Sequence, residues 1–248
     1  MNKSLKNTLI VVCVLVIVVA AGVGVFFAYV NNYYRADEDA LNAMESTSLV
    51  QVSQKDGYVE FMPTGEVKGA FVFIPGGRVE AIAYAPLMQE IANNGVLCIL
   101  LQVKYNLAVM DQDAPKGIKD NYQGIDAWVI GGHSLGGTIA SKYLAKHPDE
   151  YSGIVFLGSY ADDDLSSLDI GCYLIYGSND EVMKMGKYEA AKAKLPANYS
   201  EYIIDGGNHS QFGSYALQKG DGEASISKQL QWSIVAQLLC PPQLFLQP

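Results

Sequence analysis

Apolar and polar positions divide the chain into one membrane-length segment and a longer region of alternating strands and helices. Residues 9–30 form an unbroken apolar run, long enough to cross a bilayer as a helix. After residue 48 the apolar residues come in short blocks typical of buried strands, and these blocks alternate with stretches of helical periodicity. Such alternation indicates βαβ units, and it predicts a mainly parallel sheet that helices cover on both faces.

Short apolar blocks predict the strands of this sheet. They lie at residues 49–53, 58–62, 69–74, 96–103, 127–130, 153–157, 172–176 and 202–204. The first two blocks flank Lys55-Asp56-Gly57, which is a typical hairpin turn. We therefore expect an N-terminal hairpin at an antiparallel edge of the sheet, with the later strands parallel to one another.

Helical periodicity predicts the elements that cover the sheet. The predicted helices span residues 86–95, 138–146, 182–195 and 226–238, with a further short helix near Ile118. Pro86 suits the first turn of the first of these helices, and Gly95 suits its end. In the last one, apolar residues recur every four positions, which indicates one buried face.

The chain is expected to have three parts: a cytoplasmic stub with a transmembrane signal anchor at residues 1–30, a polar and acidic linker at 31–46, and one globular domain at 47–248. Lys3 and Lys6 precede the apolar run, and this bias predicts a cytoplasmic N-terminus and an extracytoplasmic domain. We thus expect a single-pass membrane protein. A cleaved signal peptide is the alternative, although its apolar region is usually about 7 to 15 residues long.

Charge and cysteine usage exclude several classes of function. The 248 residues carry a formal net charge of −9 without a basic cluster, which disfavours a nucleic-acid partner. The four cysteines are widely spaced, so they predict neither a zinc site nor a disulfide framework. No glycine pattern of the nucleotide-binding kind follows the third strand. We predict no cofactor and no metal.

A glycine-rich segment, GGHSLGG at residues 131–137, joins a predicted strand to a predicted helix. Its GxSxG pattern in this context is typical of a nucleophile elbow, in which a strained turn exposes the hydroxyl of Ser134 above the sheet. The turn also directs unpaired N–H groups of the helix N-terminus towards the place where an oxyanion would form. Ser134 is therefore the candidate nucleophile. The alternative is a glycine-rich turn that only packs tightly.

A serine hydroxyl needs a base, and the chain offers three histidines. His133 is next to Ser134 and should point to the other side of the elbow. His147 lies at the far end of the following helix, about 20 Å away at 1.5 Å per residue. His209 follows a predicted strand, in a loop that can reach the elbow, so it is the candidate base. A loop histidine that caps a helix or faces solvent is the alternative interpretation.

An acid must orient the base and stabilise its charged form. Asp180 follows the predicted strand 172–176, and it completes the order serine, aspartate, histidine that α/β-hydrolases use. Glu181 and Asp205 remain alternatives, and Asp180 can also act simply as a helix cap.

The oxyanion needs two N–H donors. Leu135, directly after the candidate nucleophile, offers one backbone donor. Gly77 or Arg78, in the glycine loop after the third predicted strand, offers the second.

Several motifs together resemble the α/β-hydrolase superfamily, and more closely its dienelactone-hydrolase-like branch, the α/β-hydrolase fold-5 group. The motifs lie at residues 73–80, 83–87, 131–137, 176–180, 206–213 and 218–222. The resemblance implies an α/β-hydrolase fold with Ser134 as nucleophile, Asp180 as acid and His209 as base. True dienelactone hydrolases carry a cysteine nucleophile, so the serine here argues against dienelactone cleavage.

The loop between the strands at 153–157 and 172–176 has about 14 residues, which is too short for a helical cap domain. An open cleft without a lid is therefore expected. Asp162, Asp163 and Asp164 in this loop would make its rim acidic, which mildly disfavours anionic substrates.

These features predict a membrane-tethered serine hydrolase that cleaves a small-molecule carboxylic ester or thioester through an acyl-enzyme. Its partners would be this ester or acyl substrate and the membrane. Acyl transfer to an alcohol is a close variant. An alternative of another class is a catalytically silent domain that serves as a binding or scaffold module in the cell envelope.

Overall fold

The predicted sheet is present in the computed structural model, which describes residues 3–240; the outermost residues of the predicted stub and of the predicted domain lie outside this range. The strands are β1 (Val50–Gln54), β2 (Tyr58–Pro63), β3 (Gly69–Ile74), β4 (Val96–Leu101), β5 (Trp128–His133), β6 (Gly153–Leu157), β7 (Gly171–Gly177) and β8 (Tyr199–Ile204). They form one eight-stranded sheet in the order β1-β2-β4-β3-β5-β6-β7-β8.

The register separates an antiparallel edge from a parallel body. β2 pairs antiparallel with both β1 and β4, whereas every later pair, from β4–β3 to β7–β8, is parallel. The expectation of an N-terminal hairpin at one edge is therefore confirmed. Since β3, β4 and β5 are buried along their whole length, helices must cover both faces of this part of the sheet.

Six α-helices are described: α1 (Lys3–Asn31), α2 (Glu38–Asn42), α3 (Ala85–Asn93), α4 (Leu135–Lys146), α5 (Met185–Ala191) and α6 (Lys228–Leu238). Apolar residues of α3 and α6 belong to one buried cluster, on one face of the sheet. Those of α4 and α5 belong to a second cluster, on the opposite face. Alternating strand residues such as Phe71 and Val72 enter opposite clusters, as the period of a strand requires.

α5 is shorter than the helix predicted at residues 182–195. Its start is delayed because one carboxylate oxygen of Asp180 accepts the backbone N–H groups of Val182 and Met183, which holds these residues in a turn. After Ala191 the chain continues as a 3₁₀ turn. The loop between β6 and β7 contains no helix, so the expectation of a fold without a cap domain is confirmed.

The N-terminal unit ends at Tyr33, and the second unit begins at Tyr34. Within the first unit, α1 is long and apolar enough to cross a membrane, judged by length and composition. A signal sequence close to an N-terminus has the same features.

Residues 34–46, which form most of the predicted linker, belong to the second unit, and they form hydrogen bonds with residues far along its chain. The backbone N–H of Tyr34 donates to the carbonyl of Arg78, at 2.8 Å, and that of Asp37 donates to the carbonyl of Ser214, at 3.0 Å. Lys228 lies 2.7 Å from the carboxylate of Asp37. The carboxylates of Asp37 and Asp39 in this segment thus have a cationic partner, Lys228 on α6.

Candidate active site

Ser134 occupies a strained turn between β5 and α4, with φ 53° and ψ −121°. A non-glycine residue in this region costs on the order of 1–3 kcal/mol, so its surroundings must hold it there. Its N–H donates to the carbonyl of Leu157, at 2.9 Å. Its flanking glycines are required for space, since a Cβ on Gly132 or Gly136 would lie 2.4 Å or 2.1 Å from the carbonyl oxygen of Ile74. The two glycines of the GxSxG pattern therefore let the elbow pack against the end of β3.

Asp180 and His209 form a buried pair at the carboxyl edge of the same sheet. Asp180 follows β7, His209 follows β8, and Nδ1 of His209 lies 2.7 Å from Oδ2 of Asp180. Each side chain is only 1% exposed. Oδ1 of Asp180 accepts the N–H groups of Val182 and Met183, at 3.0 and 2.8 Å, so the carboxylate is held in place. This pairing favours Asp180 over Glu181 and Asp205 as the partner of His209.

The second ring nitrogen of His209, Nε2, is buried and has no hydrogen-bond partner among the described residues. Ser134 and His209 line the same cavity. Because Asp180 engages Nδ1, Nε2 is the nitrogen that remains to exchange a proton with a hydroxyl group in that cavity.

Space beside this pair is limited at Gly158, which follows β6 and has φ 50°. A Cβ at this position would lie 2.9 Å from Nδ1 of His209 and 3.1 Å from Oδ2 of Asp180. Any larger residue would press directly on the hydrogen bond between them.

The two other histidines differ in their surroundings. His147 stacks on Tyr143 and lies 3.2 Å from Glu150, at the far end of α4 as expected. His133 is fully buried, and its ring centroid lies 4.3 Å from that of His209, contrary to the expectation that it points away to the other side of the elbow. Burial, followed by the proximity of His209, holds the pKa of His133 well below its usual value, so this ring is neutral.

Of the three candidate oxyanion donors, the structure brings two together. A Cβ on Gly77 would lie 2.9 Å from a side-chain carbon of Leu135, so the two residues are immediate neighbours. Leu135 begins α4, and its N–H therefore has no partner within the helix. The N–H of Arg78 instead donates to the carbonyl of Asn106, at 2.7 Å. Gly77 and Leu135 are thus the better pair of donors.

Asp221 is a residue that the sequence reasoning missed. Its Oδ2 accepts the backbone N–H and the hydroxyl of Ser210, at 2.7 and 2.6 Å. Its Oδ1 accepts longer bonds from the N–H groups of His209 and Glu181, both at 3.4 Å. Asp221 therefore ties the loop of the candidate base to the loop of the candidate acid. It lies in the Gly220-Asp221-Gly222 part of the motif at 218–222, which is the signal that could have drawn attention to it.

The cavity beside Ser134 has a volume of about 590 Å³. One side is apolar, with Leu135, Val182 and Met183 among the lining residues. Of the three aspartates expected at the rim, only Asp162 lines the cavity. The expectation of an acidic rim is therefore wrong, because three lysines line the same cavity: Lys184, Lys187 and Lys194.

No group of three or more His, Cys, Asp or Glu side chains that could hold a metal ion is found within residues 3–240.

The chain belongs to the α/β hydrolase family, because the model of this family matches residues 70–233, which include Ser134, Asp180 and His209. Family membership supports hydrolase activity. No curated protein matches the chain.

Solved structures of hydrolases share the fold. A dienelactone hydrolase from Anabaena variabilis has a TM-score of 0.58 at 16% identity, covering 77% of this chain and 96% of that one. An esterase domain of a Rhodothermus marinus protein has a TM-score of 0.56 at 11% identity, with coverages of 77% and 96%. A soluble variant of the monoglyceride lipase from Saccharomyces cerevisiae has a TM-score of 0.53 at 15% identity, with coverages of 79% and 96%. At these identities the likeness concerns the fold alone.

Proposed function

We propose that this protein is a serine hydrolase that cleaves carboxylic esters or thioesters through an acyl-enzyme intermediate. One observation carries the proposal: a buried His209, oriented by Asp180 at 2.7 Å, lines the same cavity as Ser134 at its strained elbow. This is the combination that turns a serine hydroxyl into a nucleophile.

In the first half-reaction, Oγ of Ser134 attacks the carbonyl carbon of the substrate and its proton passes to Nε2 of His209. The tetrahedral oxyanion accepts hydrogen bonds from the N–H groups of Leu135 and Gly77. Asp180 stabilises the imidazolium. When the intermediate collapses, the bond to the leaving group breaks, and His209 returns the proton to the departing alcohol or thiol.

In the second half-reaction, water attacks the acyl-enzyme while His209 takes one of its protons. The bond to Oγ of Ser134 then breaks, the proton returns to Oγ, and the carboxylic acid leaves. The absence of a cap between β6 and β7 supports direct entry of the substrate from solvent.

We also propose that α1 anchors the enzyme in a membrane as an uncleaved signal anchor, within the predicted segment 1–30. The length and apolar composition of the helix support the span, and Lys3 and Lys6, which precede its apolar run, support a cytoplasmic N-terminus with the hydrolase domain outside.

The test is hydrolysis of a p-nitrophenyl ester series, from acetate to palmitate, by the full-length protein in neutral detergent. Ser134→Ala should lower kcat by several orders of magnitude, because the nucleophile is removed. Ser167→Ala, an exposed serine in the loop between β6 and β7, is the matched control and should keep its activity. Equal rates in both variants, or no turnover by the folded wild type, would favour the silent binding module.

A further inference from the structure

One wall of the cavity carries several positively charged side chains, although the formal net charge of the protein is −9. Lys184, Lys187 and Lys194 belong to α5 and the turns at its two ends, and all three line the cavity that contains Ser134. Asp162 is the only rim carboxylate among the lining residues, and it lies 3.8 Å from the ammonium group of Lys142.

Two of these lysines have no counterion among residues 3–240. Lys184 and Lys187 are exposed, and neither forms an ion pair within the part of the chain that the structure describes. Lys194 differs, because its ammonium group donates to the backbone carbonyl of Asp162.

A lysine that does not line the cavity, Lys192, provides the comparison. It lies 3.1 Å from Glu189 and 2.9 Å from Glu201. Within this short segment, the lysine outside the cavity therefore has two carboxylate partners, whereas Lys184 and Lys187 at the cavity wall have none among the described residues.

The remaining lining of this wall is apolar, and it includes Val182, Met183, Ala190 and Ala191. Apolar side chains next to unpaired ammonium groups suit a ligand that combines an apolar segment with a negatively charged group. An uncharged ester would leave the ammonium groups facing water. An anionic ester would be stabilised by contact with the apolar side chains and also by attraction to the ammonium groups.

We propose that the preferred substrates are esters that carry a negatively charged group, and that Lys184 and Lys187 determine this preference. The inference rests on the proposed function, since it concerns the substrate that Ser134 attacks. The negatively charged group can be a carboxylate on the acyl chain or a carboxylate on the leaving group. The test has one arm for each of these two kinds of ester.

The test compares kcat/KM for charged and neutral ester pairs, using the full-length protein in neutral detergent at low salt. In the acyl arm, mono-p-nitrophenyl suberate is compared with its methyl ester. In the leaving-group arm, 4-carboxyphenyl butyrate is compared with its methyl ester. Each rate is divided by the alkaline hydrolysis rate of the same compound, so that differences in intrinsic reactivity cancel.

In at least one arm the wild type should prefer the charged ester. The double variant Lys184→Gln/Lys187→Gln should lower this preference about five- to tenfold, as two exposed ion pairs would. Added salt should weaken the preference of the wild type. Lys146→Gln removes a charge from an exposed lysine outside the cavity lining and should leave the preference unchanged.

The decisive quantity is the ratio of kcat/KM for the charged ester to kcat/KM for the neutral ester. If this ratio is the same in the wild type and the double variant in both arms, the inference is overturned while the proposed hydrolase activity stands. If no ester is hydrolysed, the proposed function fails, and calorimetric binding of monomethyl suberate to Ser134→Ala still decides the inference. Weaker binding after Lys184→Gln/Lys187→Gln would support it, and equal binding would overturn it.

Discussion

Asp221→Asn tests whether the loop that carries His209 is held by a carboxylate. Asparagine keeps the shape of the side chain, but it replaces one acceptor oxygen with an NH₂ donor and removes the charge. In the orientation that places this NH₂ at Oδ2, the bond from the backbone N–H of Ser210, at 2.7 Å, is lost, and the hydroxyl of Ser210 must change from donor to acceptor. In the other orientation, the bonds from the N–H groups of His209 and Glu181 are lost.

Hydrogen bonds to a charged group contribute about 1.5–3 kcal/mol each, and Asp221 is only partly buried. After allowance for solvent, we expect the free energy of unfolding to fall by about 2–4 kcal/mol, which corresponds to a Tm lower by about 5–15 °C in a domain of this size. A shift of about 1 Å in a reacting group can lower the reaction rate on the order of 100-fold. At temperatures well below the Tm, kcat should therefore fall at least about tenfold. KM should change little, because Asp221 does not line the cavity.

The assay combines thermal unfolding with ester hydrolysis at 25 °C. Asp149→Asn, an exposed aspartate near the end of α4, is the matched control and should behave as the wild type. A Tm and a kcat for Asp221→Asn that match those of Asp149→Asn would refute the reasoning. A loss of Tm with unchanged kcat would show that Asp221 stabilises the loop without positioning His209.

Further predictions concern three other parts of the structure. Because the pKa of His133 is held low, this residue is neutral when folded and takes up a proton near pH 6.5 only when unfolded. Stability should therefore fall as the pH drops below about 6.5, by on the order of 1 kcal/mol over the first pH unit, and urea titrations of His133→Asn should lack this contribution. Gly158→Ala should lower kcat at least about tenfold with little change in urea m-value, since its methyl group would press on the Asp180–His209 bond; wild-type kcat would contradict this. Lys228→Met should destabilise the domain by about 1 kcal/mol, after solvent screening, and speed proteolysis within residues 34–46, because Asp37 and Asp39 lose their cation; unchanged cleavage rates would contradict it.

Periodicity and topology sufficed to predict most of the fold. Continuous apolar blocks such as residues 96–101 must be buried on both faces, which predicts parallel strands covered by helices. Loops at the carboxyl ends of parallel strands meet at one edge of a sheet, and for this reason Asp180 and His209 were expected close together although 29 positions separate them.

Features that depend on distant contacts were not predictable. The docking of residues 34–46 depends on an ion pair between Asp37 and Lys228, which are 191 positions apart. The lysines at the cavity wall depend on the direction in which the short helix α5 faces, and the sequence wrongly extended this helix to residue 182. The motif at 218–222 singles out Asp221, but its partners Glu181 and Ser210 lie in two other loops, so the motif alone does not predict which residues it binds.

The central claim is that Ser134 is a nucleophile activated by His209, and covalent trapping tests it most directly. The full-length protein is incubated with a fluorophosphonate, followed by intact mass measurement and peptide mapping. One adduct on Ser134, absent from Ser134→Ala and formed at least about 100-fold more slowly by His209→Gln, is the predicted result. A folded wild type that forms no adduct, or one that is labelled at the same rate as Ser134→Ala, would contradict the account.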